Sequence, residues 1–254
     1  MERERYFNAI EFKDIKGIIY NSAKQFATNT AFILKHKKDK EVTYENITYK
    51  KLLQDINAFG TKLFQMGFKN KRIAIVGRNR YEWVIAHLSN LLGGIVSVPL
   101  DKELQVDELE SCLVRSKADV VVFDEKYIDN IEEIKRRGNT NLQECICMTA
   151  KEGYQNFWDL KEQGEKLLNA GEKEYTKTKI KEDELGILLF TSGTTSKSKA
   201  VMLSQHNIAS NVYAMLLVEN FLTTDVNLAF LPFHHIFGST EIIVMLASGL
   251  ATAF

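Results

Sequence analysis

Proline and cysteine are both scarce in this chain of 254 residues: two prolines, Pro99 and Pro232, and three cysteines, Cys112, Cys145 and Cys147. So little proline excludes a collagen-like or proline-rich extended chain. An odd number of cysteines without a paired framework excludes a disulfide-stapled scaffold and points to a reducing compartment, with the cytoplasm as the default. Cys145 and Cys147 flank one residue of an expected strand and so share a face, where they are expected as small buried side chains; zinc would need further Cys or His ligands. Net charge is missing too, because 33 basic side chains meet 33 acidic ones, and no overall field favours nucleic acid. No apolar run reaches the ~18 residues of a membrane-crossing helix, so no transmembrane segment is expected. The opening MERERYFNAIEF mixes charges of both signs and lacks the apolar segment of a secretion signal. What is present, 45% hydrophobic and 26% charged residues, is the composition of a globular protein with ample length for a core.

Apolar runs alternate with helical patterns over most of the length, as consecutive βα units on a mainly parallel sheet do, so the expected class is α/β. RIAIVG (72–77), IVSVPL, DVVVFD and CICMT read as buried strands, separated by helices on YEWVIAHLSNLLGG, QVDELESCLVRSKA and EKYIDNIEEIKRR. TYKKLLQDINAFGTKLFQMG before them and FWDLKEQGEKLLNA after them carry apolar positions at helical spacing. Gly93-Gly94 marks a helix stop, and Trp83, on an amphipathic helix beside Glu82, is expected in the core. Residues 172–184, EKEYTKTKIKEDE, hold nine charges in thirteen positions, more than a packed element buries. They are expected to divide a βα region over 1–180 from the opening of a second over 181–254. In the second come a strand GILLF (186–190), the loop TSGTTSKSK (191–199), a helix over 204–220, a strand VNLAFLP (226–232) and a helix over 239–247. LATAF then begins another strand with nothing after it. The expectation is a piece of a longer protein with an unfinished sheet, apolar surface around that strand and weak self-association.

The loop at 191–199 carries the chemistry. Thr191, Ser192, Thr194, Thr195 and Ser196 surround Gly193, and Lys197 and Lys199 follow. Hydroxyls and backbone amides donate to phosphate oxygens, glycine admits close backbone approach and lysine adds positive charge. A solvated Ser/Thr loop is the other reading of the same composition. The P-loop pattern fails: counting from Gly193, Ser198 stands where the second glycine belongs, and Ala200 follows Lys199 where the magnesium-binding hydroxyl belongs. The glycine fingerprint of dinucleotide-binding folds is absent as well.

TSGTTSKSKAVMLSQHNI resembles the signature loop of the AMP-forming adenylating enzymes, whose common form is roughly TSGTTGxPKGV. Thr191, Ser192, Gly193, Thr194, Thr195 and Lys199 match it, while Ser196, Ser198 and Ala200 replace glycine, proline and glycine. Two further segments agree. The stretch 42–101 resembles the family's opening, with Asn79, Glu82 and Trp83 in its Asn-x-x-Glu-Trp helix and Pro99 and Leu100 in its Val-Pro-Leu strand. LAFLPFHHIFG (228–238) resembles the Leu-Pro-x-x-His motif near the acyl pocket, with His235 in the histidine's place and His234 beside it. The paired histidines look more like long-chain fatty acyl-CoA synthetases than like peptide-synthetase modules.

The resemblance implies an incomplete N-terminal domain of the adenylating-enzyme fold. In the full-length protein it implies that a carboxylic acid, a fatty acid before an aryl or amino acid, reacts with ATP to an acyl-adenylate and passes to coenzyme A. ATP, Mg2+ and coenzyme A are the cofactors so implied. Thr191, Ser192, Gly193, Thr194, Thr195 and Lys199 are assigned to the nucleotide phosphates, and Lys199 and His235 to catalysis; no metal ligand is identified. Lys197 occupies a variable position and reads as a solvated lysine, and His206 as a surface or capping side chain. The family's adenine, ribose and magnesium motifs and its C-terminal lysine have no counterpart here, so the chain alone is expected to be inactive. A carrier-dependent adenylation module and a non-catalytic nucleotide- or acyl-binding fragment are the alternatives.

Overall fold

A computed structural model describes residues 7–39, 41–191 and 198–254. In chain order the elements are α1 (Ile15–Gln25), β1 (Thr30–Lys38), β2 (Glu41–Thr48), α2 (Tyr49–Gln65), β3 (Arg72–Val76), α3 (Tyr81–Gly93) and β4 (Val96–Leu100). There follow α4 (Val106–Ser116), β5 (Val120–Phe123), α5 (Ile128–Arg137), β6 (Glu144–Cys147), β7 (Gln155–Asn156), α6 (Phe157–Asn169) and α7 (Glu174–Lys177). The last are β8 (Leu185–Thr191), β9 (Lys199–Ser204), α8 (Gln205–Leu216), β10 (Val226–Leu228), α9 (Ile236–Ser248) and β11 (Ala251–Ala253).

The apolar runs of the sequence become the middle of a seven-stranded sheet in the order β7-β6-β5-β3-β4-β8-β9, parallel except for β9. Both faces are covered, and this is why the strands are continuously apolar. Ile73, Ile75, Val120 and Val122 pack with residues of α2 and α3, whereas Ala74, Val76, Val121 and Phe123 pack with residues of α4 and α5. Cys112, Cys145 and Cys147 are free and buried in the second cluster, as their spacing leads one to expect. Burial pushes the Cys145 thiol up to about 11, which keeps it unreactive at neutral pH. The helix stop at 93–94 is realised by Gly94 in the left-handed region at φ 69°. Among the described residues no helix is long and apolar enough to cross a membrane.

A second sheet has the order β10-β11-β1-β2, with β10, β11 and β1 parallel and β2 antiparallel. The β1–β2 hairpin is not announced by a strand pattern, because residues 35–39 and 41–45 of its outer half are solvated and the sequence there is rich in charge. LATAF forms β11, but as an interior strand paired on both sides, not as an unfinished edge. Leu250, Ala251 and Thr252 are buried, so the apolar surface expected around this strand is absent there. It lies one strand away, where Val226, Leu228 and Phe230 are exposed on the edge strand β10 and its extension.

The charged stretch 172–184 is pinned at its centre. Tyr175, on α7, is fully buried against residues with no side chain to obstruct it: a Cβ on Gly60 or Gly93 would collide with its ring. Its hydroxyl donates to Ser89 O at 2.9 Å, so the phenol is anchored at both ends. Beyond it, β8 enters the sheet of the preceding region, pairing parallel with β4 through Ser97 and Ile187. The returning β9, four of its six residues exposed, lacks the apolar period that would announce a strand.

Candidate active site

Parallel strands deliver their following loops to one edge of a sheet, where α/β proteins bind ligands. At that edge β8 and β9 form a hairpin whose last pair is Thr191 opposite Lys199. Both side chains are exposed, and together they bracket the signature segment from its two ends. Ser192, Gly193, Thr194, Thr195 and Lys197 lie outside the described residues.

The register carries the adjacent strand to the same level. With Ser97 beside Ile187, four further residues along β4 and β8 bring Asp101 level with Thr191. His234 joins this level, its Nε2 lying 3.4 Å from Asp101 Oδ1. Burial lowers the His234 pKa, and the nearby Asp101 carboxylate only partly opposes it. His235 is exposed and caps α9: its Nδ1 accepts the Phe237 amide at 3.2 Å, so the neutral ring carries its proton on Nε2. Asp101 escaped the sequence reading because a carboxylate after a strand also suits a turn, and its Oδ1 does accept the Glu103 amide at 2.9 Å.

The motif residues at Asn79 and 228–238 interlock. Asn79 Nδ2 donates to Ala229 O and Leu231 O, both at 2.8 Å, while its Oδ1 accepts the Phe233 amide at 3.2 Å. The asparagine thus replaces the ladder that β10 would otherwise continue, and the strand ends at Leu228, short of the expected 232. Trp83 is fully buried beneath this loop, its ring centroid 5.3 Å from that of Phe233. Core is the correct reading for Trp83. Glu82 instead accepts from Arg80 at 2.8 and 3.0 Å and from Trp158 Nε1 at 3.1 Å.

The two arginines after β3 are engaged by carboxylates. Arg78 donates to Asp124 at 2.6 and 3.1 Å, and Arg80 to Glu82 and Glu125. Burial raises the Asp124 carboxyl, yet hydrogen bonds from Arg78 and the Lys126 amide outweigh it and hold the group down to about 2. A cleft of about 720 Å³ opens beside these residues, lined by Leu34, Asn79, Tyr81, Trp158 and Phe254 among others, but not by Thr191, Lys199 or His235. The donor set at the hairpin, a threonine hydroxyl and a lysine ammonium, suits phosphate oxygens. Among the described residues no group of three or more His, Cys, Asp or Glu is placed to hold a metal ion.

A family model described as "AMP-binding enzyme" matches residues 19–254. Long-chain-fatty-acid–CoA ligase 5 of Mus musculus is 29% identical over 247 residues, covering 89% of this chain and 35% of that protein. Long chain acyl-CoA synthetase 4 of Arabidopsis thaliana is 26% identical over 202 residues, covering 75% and 30%. Among solved structures, a long-chain-fatty-acid-CoA ligase from Archaeoglobus fulgidus superposes with a TM-score of 0.82 at 17% identity, covering all of this chain and 49% of that one. A luciferase-like enzyme from the mealworm Zophobas morio gives the same TM-score and identity over 57% of its length. The chain spans about a third of the length of the curated relatives it matches and about half that of these structures.

Proposed function

Because the chain belongs to the AMP-binding enzyme family, we propose that it is the phosphate-holding part of an ATP-dependent acyl-CoA ligase acting on a long-chain fatty acid. In this reading a carboxylate oxygen attacks the α-phosphorus of ATP in line. The α–β bridging bond breaks and its electron pair leaves on pyrophosphate. The thiol sulfur of coenzyme A, its proton lost to solvent, then attacks the acyl carbon, and AMP departs. Thr191 and Lys199 hold the β and γ phosphates, where negative charge grows as pyrophosphate leaves. His235 presents its Nε2 proton toward the substrate carboxylate and orients it, and Ser192, Gly193, Thr194 and Thr195 add donors to the phosphates. Mg2+ accompanies ATP in this reading, with no ligand assigned to it.

The observation that supports the proposal is the pairing of Thr191 with Lys199, which brings the two ends of the hydroxyl-rich segment together at the sheet edge where α/β proteins commonly bind ligands. The names of the similar proteins support the fatty acid and coenzyme A. ATP titrated into the 254-residue chain should shift the Thr191 and Lys199 amide resonances. Lys199→Ala should weaken that binding at least about tenfold, the value of one charge-assisted contact. Unchanged affinity in the variant would remove Lys199 from the phosphate site. ATP–pyrophosphate exchange by this chain is expected to be absent, and turnover would show that these residues suffice for adenylation.

A further inference from the structure

One side chain outside the hairpin touches residues on either side of its last pair, Phe190 on β8 and Ser198 just before β9. Arg115, at the end of α4, places its guanidinium carbon 5.1 Å from the ring centroid of Phe190. Its Nη1 donates to Ser198 Oγ at 3.1 Å. Phe190 immediately precedes Thr191 and Ser198 immediately precedes Lys199, so a single guanidinium joins the neighbours of the two bracketing residues. The hairpin is therefore tied to α4 by one guanidinium, which lies over Phe190 and hydrogen-bonds Ser198, in addition to its own ladder. Ser198 stands where the common form of this loop has proline. Proline fixes φ near −65° by its own ring; serine does not, but it offers an oxygen.

We propose that Arg115 is a positioning residue, clamping Phe190 and Ser198 so that the stem of the hairpin holds Thr191 and Lys199 in register, in place of the restriction a proline at 198 would impose. This rests on the reading of 191–199 as the ATP-phosphate loop. The contact with Phe190 involves the ladder itself, which gives the clamp a readout without ligand.

Amide hydrogen exchange of the ligand-free chain tests it. Arg115→Ala should speed exchange of the stem amides, Leu189 to Thr191 and Lys199 to Val201, by about five- to tenfold, the scale of an exposed cation–π contact plus a hydrogen bond. Arg115→Lys keeps the charge but loses the planar fork, and should leave exchange fast. In a Ser198→Pro background, Arg115→Ala should have a smaller effect, because only the contact with Phe190 is left to lose. Unmoved exchange in Arg115→Ala, full rescue by lysine, or an equal effect in both backgrounds would each overturn the clamp. The same variants titrated with ATP separate the two readings. Fast stem exchange with unchanged ATP affinity supports the clamp and removes the phosphate role of the loop, whereas weakened ATP binding with unmoved exchange makes Arg115 a ligand contact and overturns the clamp.

Discussion

The two sheets both contain apolar strand residues, but those residues meet very different surroundings. In the seven-stranded sheet, helices cover both faces of β3, β4 and β5 so completely that even polar side chains such as Ser97 on β4 and His87 and Asn90 on α3 are buried. In the four-stranded sheet the edge strand β10 leaves Val226 and Leu228 exposed, and Phe230 just beyond it is 74% exposed. An apolar strand is thus not a buried strand; the layers laid over it decide. The signature hairpin belongs to the first sheet, so β8 and β9 rest on the tightly covered part of the molecule.

Three perturbations press on this contrast. The largest effect is expected for Trp83→Ala, which empties a fully buried site on α3 and should cost about 3–5 kcal/mol in urea unfolding. A loss below about 1 kcal/mol would mean that the covered sheet is no better packed than the open one.

Next comes His87. Its Nδ1 lies 2.8 Å from Ser97 Oγ, its Nε2 has no partner among the described residues, and burial holds its pKa down to about 3. The folded state therefore excludes a proton that the unfolded chain takes up near pH 6.5. Its contribution to stability is complete above pH 6.5 and falls as pH drops toward 3, with a slope of up to about 1.4 kcal/mol per pH unit. Urea titrations from pH 7 to pH 4 should show this slope in the wild type and a shallower one in His87→Gln. Identical pH dependence in the two proteins would show that the imidazole is wetter than its surroundings indicate.

The smallest effect is expected at Phe230→Ser, within about 0.5 kcal/mol of the wild type, because the ring is solvated already. A loss above about 2 kcal/mol in the same urea assay would show that β10 is covered in solution and would erase the contrast.

The same physics separates what could be read in the sequence from what could not. β3, β4, β5 and β6 were legible because burial on both faces writes an unbroken apolar run. β9 was not, since most of its residues face solvent, nor was the β1–β2 hairpin, whose described outer residues are largely charged and present no buried face. Tyr175 was hidden in a charged stretch because one aromatic among nine charges has no periodicity, and only the bare backbones of Gly60 and Gly93 reveal the socket. At the site, the resemblance to the adenylating-enzyme loop pointed to Thr191 and Lys199, and the helix and Leu-Pro motifs could be recognised separately. That Asn79 joins them, that His234 meets Asp101 and that Arg115 spans the hairpin stem are contacts between residues from 83 to 154 positions apart, which only the folded chain brings together.

The central position of β11 also sets a timetable for synthesis. β1 pairs with β11 through Phe32 and Thr252, positions separated by most of the chain. On a ribosome adding roughly 5–20 residues per second, the amino-terminal hairpin waits on the order of 10–45 s with one strand edge unpaired. During that interval the nascent chain presents an unpaired strand edge, the kind of template that foreign strands can join, until β11 arrives to close the gap.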